Sequence, residues 1–177
     1  MNKAILLDRD GVITKLVWHE IKNEWTAPWT REEFEVLPHV DEALKDAKSM
    51  GFFNLIITNQ PDVLDGFISV EDCVFFSEYL KQAYQIDEIF EAYSRGDWKY
   101  KPNPGFIDQA KDVFNLDLSQ CFFIGDRWKD CVCAAQRKVK YIHVGDQDPI
   151  GPVRYRAKHI GDALQWIRKY ELTKAKS

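Results

Sequence analysis

No apolar run in this sequence approaches the ~20 residues that a membrane-spanning helix requires. The N-terminal run Ala4-Ile5-Leu6-Leu7 is also too short for a secretion signal. There is no excess of positive charge. The 24 Lys and Arg are outnumbered by 28 Asp and Glu, for a net charge of -4. That balance argues against a general nucleic-acid or membrane surface but leaves room for a local basic pocket. Cysteine is sparse, with Cys73, Cys121, Cys131 and Cys133 in 177 residues. Disulfide frameworks belong to smaller secreted chains, so reduced thiols and a cytoplasmic location are expected. Cys131-Val132-Cys133 has no further Cys or His at ligand spacing and is taken as part of a packed helix. Repeats, low-complexity tracts and interdomain linkers are absent too. The expectation is one domain over 1–170, with a short hairpin or loop insertion at about 14–37 and a tail at 171–177.

What the chain does have is alternation of short apolar runs with helical patterns. Strands are expected at Ala4–Leu7, Phe52–Ile57, Glu88–Tyr93, Cys121–Ile124 and Val139–Val144. Helices are expected between Pro38 and Gly51, over Val70–Tyr84 behind an N-capping Ser69, over Pro104–Phe114 and Arg127–Lys138, and around Ile160, Leu164 and Ile167. This order predicts an α/β fold, a three-layer doubly wound parallel sheet. In such sheets ligands bind at the edge formed by the strands' C-terminal ends.

Polar clusters follow the strands. Asp8-Arg9-Asp10-Gly11 comes after the first; two carboxylates spaced two apart point the same way, repel, and call for a cation, for which hard oxygen donors suit Mg²⁺. Thr58-Asn59-Gln60 offers donors to a phosphoryl oxygen, or ordinary loop chemistry. Lys101-Pro102-Asn103-Pro104-Gly105 holds an ammonium in a proline-braced turn. Gly125-Asp126-Arg127-Trp128-Lys129-Asp130 adds Asp126, placed to complete a metal site or to cap a helix, and Asp130, placed to hold Lys101 or the metal's water shell.

Taken in order, Asp-x-Asp-Gly, Thr58, Lys101 and Gly-Asp-x-x-x-Asp resemble the four motifs of the haloacid dehalogenase-like (HAD) superfamily, over about Lys3 to Val144. More narrowly, Asp8-Arg9-Asp10-Gly11, Ile57-Thr58-Asn59-Gln60, Lys101-Pro102-x-Pro104-Gly105 and Gly125-Asp126-Arg127 resemble the histidinol-phosphate and heptose-bisphosphate phosphatase group. Many members of that group carry a Cys/His zinc loop before the third motif. Here Tyr93–Tyr100 contains neither residue, so no zinc is expected, and Tyr100 stands where heptose-bisphosphate enzymes have an arginine.

The resemblance implies Mg²⁺-dependent phosphomonoester hydrolysis. Asp8 would be the nucleophile that forms an aspartyl-phosphate, and Asp10 the general acid and base. Asp8, Asp126 and the main-chain carbonyl of Asp10 would hold Mg²⁺. Thr58, Asn59, Lys101 and Arg127 would bind phosphate or substrate, with Asp130 in support. Residues 12–37 and 61–95 are too short for the cap domains the superfamily inserts there, so an open, capless crevice is expected. Trp18, His19, Trp25, Trp29 and Arg31 would either wall that crevice or pack the insertion onto the core. The implied partner is a small phosphorylated metabolite such as a sugar phosphate or histidinol phosphate, on a monomer or homodimer. The alternatives are a phosphotransferase or mutase, a nucleic-acid end phosphatase, and a non-catalytic phosphate-binding protein.

Overall fold

A computed structural model of the chain describes residues 1–175. The strands are β1 (Lys3–Leu7), β2 (Val17–His19), β3 (Glu24–Thr26), β4 (Phe52–Asn59), β5 (Glu88–Ala92), β6 (Phe122–Gly125), β7 (Lys140–Val144) and β8 (Tyr155–Ala157). The helices are α1 (Val40–Ser49), α2 (Val70–Ala83), α3 (Gly105–Phe114), α4 (Trp128–Ala135) and α5 (Ile160–Lys174). Six strands form one parallel sheet in the order β5-β4-β1-β6-β7-β8, with β1 inside it.

Alternation along the strands sorts side chains onto two faces. Ile5, Leu7, Ile56, Phe122 and Ile124 pack with Val40, Leu44, Ile160 and Leu164 of α1 and α5. Ala4, Leu6, Leu55, Ile57 and Phe123 pack with Phe106, Ile107, Cys131 and Cys133 of α3 and α4. Helices therefore cover both faces, which is why Ala4 to Leu7 of β1 and all of β6 are apolar rather than alternating. All four cysteines are buried and free.

Differences from expectation lie at the element ends. β4 continues past Ile57 through Asn59, because Thr58 and Asn59 pair with Glu91 and Ala92 of β5. α4 stops at Ala135, before the expected Lys138; Val139 closes back onto Ala134, with Lys138 in the left-handed region between them. β8 has no apolar run to announce it; it is a short edge strand paired with β7. α5 runs through Lys174 rather than stopping at 170, so the expected tail begins inside a helix, and Lys176 and Ser177 lie outside the described residues. None of the described helices is long and apolar enough to cross a membrane.

The insertion after β1 is an antiparallel hairpin, β2–β3, with Trp18 opposite Trp25. Residues 61–95 contain a 3-10 turn (Pro61–Val63), α2 and β5. Among the described residues these two stretches contain no further helix or strand that could form a cap over the sheet edge.

Candidate active site

Four chain segments meet at the C-terminal edge of β1, β4 and β6. They line one crevice of about 370 Å³ that includes Asp8, Asp10, Asn59, Gln60, Lys101 and Asp130.

Lys101 is its electrostatic hub. The side chain is buried, and Nζ lies 2.9 Å from Asp8 Oδ1, 2.7 Å from Asp130 Oδ1 and 2.8 Å from the Ile57 carbonyl. The ammonium donates a hydrogen bond to the Ile57 carbonyl and forms ion pairs with the two carboxylates. Burial alone would pull Lys101 down, but the Asp130 and Asp8 carboxylates outweigh it and raise it above the ordinary lysine range. Asn59, expected among the phosphate-binding groups, uses both ends of its amide on the Lys101 main chain, at 3.0 Å each. It positions Lys101 instead of pointing at a ligand.

Asp8, Asp126 and Asp130 each place an oxygen within 4.8 Å of the others. Burial, then the Asp130 charge, pushes the Asp8 carboxyl up to about 6 against the opposing pull of Lys101. Burial, then Asp8 and Asp130, raises Asp126 well above the usual carboxylate range. Asp126 Oδ1 is buried without a hydrogen-bond partner. A cluster with more carboxylate than cation charge and an orphaned buried oxygen fits a hard divalent ion such as Mg²⁺. The backbone makes room for it. Gly11 sits at φ 91°, and a Cβ there would run into the Asp126 carboxylate. A Cβ on Gly125 would lie 2.6 Å from the Asp130 Cγ.

Asp10 faces a different set of groups. Its carboxylate accepts from Thr14 Oγ1 at 2.7 Å, Gln60 Nε2 at 2.6 Å and Arg9 Nε at 3.2 Å. Gln60 Nε2 also donates to Thr58 Oγ1 at 2.8 Å, which ties two expected site residues together. Arg9 is fully buried and lies 3.5 Å from Glu91, which accepts from Ser77 and Tyr93. Sequence reasoning gave Arg9 and Glu91 no roles and placed Gln60 only in a cluster of donors for a phosphoryl oxygen. The available signal was β-period: Thr58 and Gln60 point to the Asp10 side of the strand end, and Asn59 to the Lys101 side.

Asp130, expected to hold Lys101 or metal water, contacts Lys101 and also accepts from the Arg127 main-chain N–H at 3.0 Å. It is thus the capping residue of α4, a role that Asp126 does not take. Arg127 donates from Nη2 to the Trp25 carbonyl at 2.6 Å and lies 3.3 Å from Asp126 through Nε. Its guanidinium latches the hairpin to the acidic cluster.

The hairpin's aromatic residues divide. Trp29 stacks between His19 and Phe67, at 3.5 and 4.5 Å, and donates to Asp62 at 2.7 Å. Lys22 binds the other Asp62 oxygen at 2.7 Å. Arg31 pairs with Asp72 on α2. These contacts pack the hairpin down, whereas Trp25 is half exposed and lines the crevice, as does Trp128. Tyr100 is buried, with the Lys129 ammonium 5.4 Å from its ring centroid. Burial, then Arg95, Lys101 and Arg127, lowers Lys129 below the ordinary lysine range.

Comparison with known proteins points to one family. The HAD-hydrolase-like family model matches residues 100–148, which include Lys101, Asp126 and Asp130. The D-glycero-beta-D-manno-heptose-1,7-bisphosphate 7-phosphatase of Helicobacter pylori (strain ATCC 700392 / 26695) is 32% identical over 158 residues, 84% of this chain and 87% of that protein. The enzyme of the same description from strain J99 is 29% identical over 94% of this chain and 98% of its own length. A solved D,D-heptose 1.7-bisphosphate phosphatase from B. bronchiseptica, complexed with magnesium and phosphate, superposes with a TM-score of 0.81 at 19% identity, over 96% of this chain and 99% of that one. The chain belongs to the HAD-like hydrolases, in the family of these heptose-1,7-bisphosphate 7-phosphatases, and is a phosphatase.

Proposed function

We propose that this phosphatase is a Mg²⁺-dependent phosphomonoester hydrolase that works through an aspartyl-phosphate on Asp8 and acts on a small sugar phosphate. One observation carries the reading: Asp8 lies on the open crevice with the Lys101 ammonium 2.9 Å from its oxygen, inside a carboxylate cluster that lacks balancing charge. Asp8 and Asp126 would hold Mg²⁺ with help from the Asp10 main-chain carbonyl. Bound there, the ion supplies Lewis-acid charge stabilisation for the phosphoryl oxygens.

The protein's own groups account for the steps. The Asp8 carboxylate attacks phosphorus, and the ester P–O bond breaks. Asp10, held by Thr14, Gln60 and Arg9, gives the leaving oxygen its proton. Water then attacks phosphorus and returns a proton to Asp10, and the Asp8–phosphorus bond breaks to release phosphate. Lys101 and Thr58 offset the charge on the transferring group. With no cap over the edge, water reaches the intermediate, which favours hydrolysis over transfer to a second sugar.

Trp25 and Trp128 on the crevice supply flat faces against which a sugar can pack. The heptose-bisphosphate activity of the relatives makes a phosphorylated heptose the first substrate to try. The test is phosphate release from heptose 1,7-bisphosphate, other sugar phosphates, histidinol phosphate and nucleotides, with Mg²⁺ and with EDTA. Sugar phosphates should be hydrolysed only with Mg²⁺, and Asp8→Asn should abolish turnover. Full activity in Asp8→Asn, or in EDTA, defeats the mechanism.

A further inference from the structure

Glu91 is an acidic residue on β5, and only 14% of its side chain is exposed. The sheet sets its place. Parallel register pairs it with Thr58 of β4, so the two side chains leave the same face, the Asp10 side. A buried carboxylate is costly unless its oxygens are engaged, and these are. Oε1 accepts from Ser77 of α2 at 2.5 Å, and Oε2 accepts from the Tyr93 hydroxyl at 3.1 Å. Oε1 also lies 3.5 Å from Arg9 Nη1. Arg9 is fully buried and turns its other edge to Asp10. Its Nε lies 3.2 Å from both carboxylate oxygens, and its Nη2 lies 3.2 Å from Oδ2. Nη1 has no hydrogen-bond partner among the described residues, so the charge of Glu91 holds that end of the fork.

A planar guanidinium cannot turn at one edge without turning at the other. We propose that Glu91 is a positioning residue for proton transfer: acting through Arg9, it fixes the direction in which the Asp10 carboxyl faces the leaving oxygen. Thr14 reaches one Asp10 oxygen and Gln60 the other, whereas Arg9 spans both, so the angle of Arg9 sets the plane of the carboxyl. The chain of alternating charge, Asp10–Arg9–Glu91, carries that control across two strands of the sheet, from the end of β1 to β5. The proposal rests on the reading above in which Asp10 is the acid and base, and adds to it a residue that never touches substrate. A Glu91 that served packing alone would affect every substrate alike.

The experiment follows single turnovers with Mg²⁺ on two phosphate esters. One is the sugar phosphate that wild type hydrolyses best, whose alkoxide needs a proton as it leaves. The other is p-nitrophenyl phosphate, whose phenolate leaves without one. Glu91→Gln keeps the shape and removes the charge. It should slow breakdown of the sugar phosphate about tenfold, with the half-saturating concentration within about twofold of wild type. First-turnover release of p-nitrophenolate should stay within about twofold, which also shows that the variant is folded. Arg9→Lys cannot span both oxygens and should give the same pattern, and Glu91→Gln added to it should cost less than about twofold more, because the two residues act in one chain. Ser77→Ala loosens Glu91 without removing it. It should slow the sugar phosphate about twofold to threefold, and it carries the test if Glu91→Gln does not fold. Equal losses on both esters, additive effects of the two substitutions, or an unchanged rate on the sugar phosphate overturns the role of Glu91 while the phosphatase reading stands. If Asp10→Asn hydrolyses the sugar phosphate at the wild-type rate, Asp10 is not the acid and both fall.

Discussion

Asn59 pairs with the main chain of Lys101 at two points, donating to its carbonyl and accepting from its N–H, each at 3.0 Å. The pairing fastens the loop after β5 to the end of β4, and the Lys101 ammonium returns to the same strand through the Ile57 carbonyl. Asp8 and Asp130 therefore meet a charge whose position is set from both ends of one side chain.

Removing that fastening should damage catalysis more than folding. In Asn59→Ala the Lys101 loop keeps its ion pairs but loses its register, and small displacements of a positioned charge are costly to rate. We expect kcat to fall roughly tenfold and stability by about 1–2 kcal/mol. Phosphate release and thermal melting measure the two. An unchanged kcat would show that the ion pairs alone hold Lys101.

Lys101→Met should cost more on both counts. It leaves the buried Asp8 and Asp130 carboxylates without their shared cation. Breaking a buried pair by removing one partner costs about 3–5 kcal/mol, and losing charge stabilisation at the transferring group about a hundredfold in rate or more. Urea unfolding without metal reads the first, and kcat the second. A variant as stable as wild type would mean that the carboxylates protonate or hydrate at little cost.

How far the sequence discloses this site depends on whether a residue's role is local. Asp8, Asp126 and Lys101 announce themselves because each follows a strand and carries charge, and the parallel sheet brings strand ends together. Asn59 and Arg127 are polar at the right places, yet both are spent on main-chain atoms brought near by folding, of Lys101 and Trp25. The support behind Asp10 is less visible still, since Glu91 is on β5 and Ser77 on α2, far from Arg9 in the chain. β8 went unseen for a similar reason: it gains strand character from pairing with β7, not from an apolar run of its own.

Gly11→Ala tests whether the close approach of the first and fourth clusters matters. Alanine at φ 91° is strained, and its Cβ would drive into the Asp126 carboxylate. Either the turn after β1 or Asp126 must move, and both belong to the acidic cluster. We expect Mg²⁺ to bind at least about tenfold more weakly, with stability reduced by about 1–3 kcal/mol. Calorimetric titration with Mg²⁺ checks it, and wild-type affinity in a folded Gly11→Ala protein would rule out the tight fit.

The acidic cluster should also link metal, proton and fold. Burial first, and the neighbouring carboxylates next, raise Asp8 from 3.8 to about 6 and raise Asp126 in the same direction. Within that window the folded chain holds more protons than the unfolded one, so the metal-free protein should lose stability as pH rises through it. The share of the loss that belongs to Asp8 is complete above about pH 6 to 7, and the share of Asp126 has the same sign. Lys101 is raised as well, but its contribution is lost only above the ordinary lysine range and does not bend the curve here. Mg²⁺ competes with those protons for the same oxygens. Its stabilising effect should therefore be small near pH 5 and grow to a plateau at mildly alkaline pH, as read from the shift in Tm on adding saturating Mg²⁺ across that range. Asp126→Asn removes one of the repelling charges, so it should make the metal-free protein more stable than wild type at alkaline pH and shrink its response to Mg²⁺. A Mg²⁺ effect that is largest at low pH, or an Asp126→Asn protein less stable than wild type without metal, would show that the cluster is not strained by its own charge.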